Sequence, residues 1–153
     1  MARRRRRRYR SAKWYNRRGL PNKSEQSVVE LGIPGLECCV GTSRYVLLRH
    51  PDERRYRDVR KMHWATPGEK PWRKHPDFAY GWRGPEKGGQ PLLVVEVFGF
   101  GKYHTAAEAR YVKSEYARAG VLCLVFSARF VRAQPEAVRR RICNAIASLS
   151  SDG

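Results

Sequence analysis

Apolar positions along the 153-residue chain fall into short stretches whose spacing switches between helical and extended. The first helix is expected after Asn22. Asn22 and Glu25 have the spacing of a capping box, Val28, Val29 and Leu31 supply an apolar face, and Gly32 with Pro34 stop it. Short extended pieces follow at LECCV (36–40), RYVLLRH (44–50) and DVRKMHW (58–64), and residues 65–76, rich in Pro, Lys and Trp, read as a loop. Residues 78–82 alternate weakly and lead into GPEKGGQ, a hairpin-type connection. Apart from Glu96, residues 92–98 form an apolar run rich in valine, the pattern of a strand covered on both faces.

Thr105 then opens a helix with Glu108 as its capping partner, and Gly120 closes it. VLCLVFSA (121–128) is a second apolar strand, and Pro135 starts a last helix whose Val138, Ile142, Ala145, Ile146 and Leu149 share one face. Arg139, Arg140 and Arg141 lie mostly off that face. The order predicts an α/β fold in which strands 92–98 and 121–128, joined by a helical crossover, are parallel neighbours.

Charge adds a partner to this picture. The chain carries 32 Lys plus Arg against 14 Asp plus Glu, a net charge of +18. Such an excess repels itself unless a polyanion neutralises it. Through Ser24 there are 11 basic residues and no acidic one, which leaves about +7 for the rest. Residues 1–21 therefore read as a disordered or extended basic arm, and residues 22–150 as one folded domain. Arg3, Arg4, Arg5, Arg6, Arg7, Arg8, Arg10, Lys13, Arg17 and Arg18 are candidate phosphate contacts, with Tyr9, Trp14 and Tyr15 interleaved for base stacking. Arg139 and Arg140 extend that candidate surface to the last helix.

Cys38, Cys39, Cys123 and Cys143 form no CxxC pair and read as reduced thiols of an intracellular protein, cytoplasmic, nucleoid-associated or nuclear, with an organelle as a further setting. No apolar run is long enough to span a bilayer, so no membrane role is expected.

Two carboxylates stand out as candidate chemistry. Asp77 opens the strand at 78–82 and Glu96 lies inside the next one. In an antiparallel pair, a residue at the start of one strand lies opposite one near the end of the other, so the two can share a cation. Two hard oxygen ligands plus waters and a phosphate suit Mg²⁺, with Mn²⁺ as a substitute.

Asp77, an intervening loop and then Glu96-Val97-Phe98 ending a hydrophobic strand resemble the PD-(D/E)XK nuclease motif. Over residues 22–147 the chain looks similar to small very-short-patch-repair-like and homing-type endonucleases, in which the strand runs into a Gly- and aromatic-rich turn like FGFGKYH. The resemblance implies a restriction-endonuclease-like core: helix, three antiparallel strands, helix, parallel strand and C-terminal helix. It implies that Asp77 and Glu96 hold the metal with the Val97 carbonyl, and that a helix-1 acid, Glu25 or Glu30, stands nearby. It implies phosphodiester hydrolysis in nucleic acid, double-stranded DNA first and RNA as the alternative, by a chain that can work as a homodimer. The sequence departs at Phe98, which occupies the lysine position; Lys102 or His104 could supply the missing group.

Other readings of the same residues are structural. Asp77 could cap a turn, and Glu96 could pair with an arginine such as Arg110 or Arg129. The chain would then be a non-catalytic nucleic-acid binder of the ribosomal or RNP kind.

Overall fold

The computed structural model describes residues 11, 14–15, 17–48, 72–84, 89–99 and 105–151. The arm through Arg10, Lys13, the expected strand at 58–64, Lys102 and His104 lie outside the described residues.

Helix α1 (Lys23–Glu30) begins where the capping box places it: the Glu25 amide donates to Asn22 Oδ1 and the Asn22 amide to Glu25 Oε1, both at 2.9 Å. Gly32, with φ of 62°, takes the left-handed conformation that ends it. Strands β1 (Leu36–Cys38), β2 (Val46–Leu48), β3 (Trp72–Lys74), β4 (Phe78–Tyr80) and β5 (Leu93–Phe98) follow. Helix α2 (Ala106–Arg118) starts at Thr105, whose hydroxyl accepts the Glu108 amide at 3.2 Å. Strand β6 (Leu122–Ser127), a short helix α3 (Ala128–Ala133) and helix α4 (Pro135–Ser151) complete the chain.

The main sheet has the order β1-β4-β5-β6. Its first three strands are antiparallel, and β6 runs parallel to β5, with Leu93 opposite Leu122 through Phe98 opposite Ser127. The expected parallel neighbours are therefore present, in a mixed four-stranded α/β sheet. Strands β2 and β3 form a separate antiparallel pair.

Strand β5 is apolar except at Glu96 because both of its faces are covered. Leu93 and Val95 pack with Val28, Phe78, Phe126, Val131, Val138 and Ile142, on the side of α1, α3 and α4. Val94 and Phe98 pack with Val46, Leu48, Val112 and Tyr116, on the side of α2 and β2. By the two-residue period of a strand, Glu96 points to the α2 side.

Two expectations need correction. Residues 72–74, read as part of a loop, form β3, whose pairing with β2 is non-local and leaves no local periodicity. The strand expected at 121–128 ends at Ser127, and Ala128–Ala133 form helix α3. Ser127 ends β6 and at once caps α3, its hydroxyl accepting the Phe130 amide at 2.9 Å, and Val131 is fully buried. The last helix matches expectation, with Val138 and Ile142 at 0% exposure. No helix among the described residues is long and apolar enough to cross a membrane.

Candidate active site

The register of β4 and β5 sets Phe78 opposite Val95, so one step outward Asp77 faces Glu96. Directly opposed residues of an antiparallel pair project from the same face. Asp77 is held from two sides. Its carbonyl accepts the Cys39 amide at 2.8 Å, and its Oδ2 accepts the Val97 amide at 2.9 Å. Because the N–H and C=O of one strand residue point to the same edge, the Val97 carbonyl faces the β4 side as well. Glu96 is 6% exposed, and its Oε1 accepts the hydroxyl of the fully buried Tyr116 at 3.0 Å.

Burial raises the pKa of all three neighbouring acids. Asp77 is raised well above the usual aspartate value, by desolvation first and then by the charge of Glu96. Glu96 is also raised by desolvation, offset by its hydrogen bonds to Asp77 and Tyr116 and by the nearby charge of Lys74. Glu25, 4% exposed, is pushed up to about 7 by burial and by Asp77, to which its carboxyl also hydrogen-bonds. The acids form a chain, Glu25 to Asp77 to Glu96. They do not form a cage: among the described residues no three His, Cys, Asp or Glu side chains converge to hold one ion. What is present is a two-carboxylate arrangement, which suits a hard cation whose remaining ligands are water, phosphate or backbone carbonyl.

No cationic side chain among the described residues comes within 4.0 Å of either carboxylate. Neither Arg110 nor Arg129 pairs with Glu96; both are exposed. The cation whose charge reaches Glu96 is Lys74, whose Nζ stands 5.4 Å from the centroid of the Tyr116 ring. Two adjacent carboxylates, Glu96 buried and Asp77 half-buried, without a close counter-charge are costly, by several kcal/mol when ionised, which favours uptake of a proton or a cation.

Glu25 is thus the helix-1 acid beside Asp77, whereas Glu30 is exposed at the far end of α1. Phe98 is 6% exposed and belongs to the core. Arg139 is engaged within the fold, its guanidinium donating to the Leu31 carbonyl that ends α1. Arg18 lies 4.1 Å over the Trp14 ring and donates to the Trp14 carbonyl at 3.0 Å, while Arg17 and Arg140 are exposed. The residue that sequence reasoning missed is Lys74. Its only local signal was its place three residues before Asp77, and the β2–β3 pairing that carries it to Glu96 is non-local.

Compared with known proteins, the chain matches no family model, no curated protein and no solved structure at a significant level.

Proposed function

We propose that this protein is a metal-dependent endonuclease of the PD-(D/E)XK type, with a restriction-endonuclease-like core, that hydrolyses phosphodiester bonds in double-stranded DNA. The observation that carries the reading is the cross-strand pair of half-buried Asp77 and buried Glu96, with no protein cation within 4.0 Å among the described residues. The mixed sheet adds support, since its three antiparallel strands and parallel fourth are the expected order. The charge of +18 supports a polyanionic substrate.

Asp77 and Glu96 would hold Mg²⁺ or Mn²⁺, with the Val97 carbonyl beside them. When bound, the ion supplies Lewis acidity to a phosphate oxygen and a more acidic water. The chain's own residues orient the ligands. The Val97 amide fixes the rotation of the Asp77 carboxylate, and the Tyr116 hydroxyl fixes Glu96. Lys74 is the ammonium whose charge reaches Glu96, and it would contact a phosphate oxygen that Phe98 cannot bind. Lys102 and His104 remain candidates for the same work.

Supercoiled plasmid and oligonucleotides, incubated with wild type, Asp77→Ala and Glu96→Ala in Mg²⁺ and in chelator, test the reading. Cutting by wild type in Mg²⁺ alone, lost in both variants, is expected. Mg²⁺-dependent cutting that survives both substitutions sinks the site. Binding without cutting of any DNA or RNA moves the protein to the class of non-catalytic nucleic-acid binders.

A further inference from the structure

Helix α2 packs against both the main sheet and the β2–β3 pair, and Tyr116 faces a charged group from each. Ala109, Val112 and Tyr116, at helical spacing, make the buried stripe of α2. That stripe packs with Val94 and Phe98 of β5 and with Val46 and Leu48 of β2. The Tyr116 carbonyl accepts the amides of Ala119 and Val121 at 3.0 and 2.9 Å, so the turn into β6 holds the backbone of this residue in place.

The two ends of the side chain do different work. At the tip, the hydroxyl donates to Glu96 Oε1, from β5, at 3.0 Å. Over the face stands Lys74 Nζ, from the end of β3, 5.4 Å from the ring centroid and within the range of a cation–π contact. Val46, opposite Lys74 in the β2–β3 pair, lies in the same buried cluster as Tyr116, which holds the strand end that carries the ammonium. Phenylalanine would offer the face alone and a small polar side chain the hydrogen bond alone, whereas tyrosine supplies both.

The ring also sets a gap. Lys74 makes no ion pair with Glu96, so its ammonium lies beyond 4.0 Å from the carboxylate. A phenol ring and its two contacts bring it within a distance on the order of 10 Å. Such a gap admits a hard cation about 2.1 Å from a carboxylate oxygen and a phosphate oxygen about 2.8 Å from an ammonium.

We infer that Tyr116 is a positioning residue with two outputs: its hydroxyl orients the Glu96 carboxylate toward the cation, and its ring seats the Lys74 ammonium at the phosphate which that cation binds. One buried side chain thereby sets the spacing between metal ligand and phosphate contact. The inference rests on the Asp77–Glu96 pair taking a divalent cation together with a phosphate.

Three quantities separate the outputs: Mn²⁺ affinity, duplex affinity in Ca²⁺, and cleavage rate at saturating Mg²⁺. They are measured for wild type, Tyr116→Phe and Tyr116→Leu, each with and without Lys74→Met. Tyr116→Phe keeps the ring and loses the hydroxyl, so Mn²⁺ affinity should fall about 10-fold. Lys74→Met should still lower duplex affinity and rate by the same factor as in wild type. Tyr116→Leu removes the ring as well, and Lys74→Met should then cost less than about threefold. If Tyr116→Leu does not fold, Tyr116→pentafluoro-Phe takes its place with the same expectation, because fluorination keeps the shape and abolishes the negative face. A tyrosine that only fills the core would change stability while leaving Mn²⁺ affinity in Tyr116→Phe, and the cost of Lys74→Met in the ringless or fluorinated variant, as in wild type. Either result in folded protein overturns the inference. The expected split in Mn²⁺ and duplex binding without any cutting upholds the positioning role and rejects the nuclease reading alone; Mg²⁺-dependent cutting without the split does the reverse.

Discussion

The backbone amide of Val97 donates to Oδ2 of Asp77 at 2.9 Å, so the strand that carries Glu96 also sets the orientation of the carboxylate opposite it. A carboxylate pair built this way is fixed by sheet register, and it sets two acids of like charge side by side, Glu96 in dry surroundings.

Replacing one of those charges should trade activity for stability. Asp77→Asn and Glu96→Gln keep shape and most hydrogen-bonding capacity while removing the repulsion. Each should lose cleavage by at least about 100-fold and gain roughly 1–3 kcal/mol of stability in chelator at neutral pH. Urea unfolding beside the plasmid assay checks both effects. A loss of activity together with a loss of stability would show the carboxylates to be structural.

Stability of the metal-free protein should fall as pH rises. Glu25 titrates near 7 in the folded chain against 4.5 for an ordinary glutamate. Between those values the folded state binds more protons than the unfolded one, so stability decreases with pH across that window. Asp77 and Glu96, also raised, act in the same direction. Melting temperature in chelator should be higher at pH 5 than at pH 8. Glu25→Gln, which keeps a capping-box residue, should flatten the trend.

Tyr116→Phe should test whether the hydroxyl holds Glu96 as an ion. The ring is retained at 0% exposure and only the bond to Oε1 is lost. A cost of about 1–3 kcal/mol is expected in the wild-type background and less in Glu96→Gln. A double-mutant cycle by urea unfolding measures the difference, and equal costs in both backgrounds would remove the hydroxyl from the site.

Lys74→Met should separate catalysis from metal binding. Taking away the ammonium whose charge reaches Glu96 leaves both carboxylates in place, so Mn²⁺ affinity should hold or rise. The cleavage rate at saturating metal should fall by roughly 100-fold, the range of a lost charge-assisted phosphate contact. An unchanged rate would return the missing role to Lys102 or His104.

How much of this was legible in the sequence follows from which interactions are local. The caps at Asn22 and Thr105, the start of α4 at Pro135 and the valine-rich run of β5 are written in residues a few positions apart, and each stands where the pattern puts it. The crossover between β5 and β6 follows from chain topology, and the opposition of Asp77 and Glu96 from antiparallel register. Strand β3 was not legible, because three residues carry no period and their partner is a distant strand. Lys74 was missed for the same reason. Arg139 looked like a surface cation, but its length lets it reach the Leu31 carbonyl.

The most direct measurement is a titration of the chelator-treated protein with Mn²⁺, followed by electron paramagnetic resonance of the free ion. Wild type should bind Mn²⁺ in a class of sites that Mg²⁺ displaces and that both Asp77→Asn and Glu96→Gln lose. Wild type that binds no Mn²⁺, or a folded double variant that binds it as well as wild type does, would contradict a cation site built on this pair.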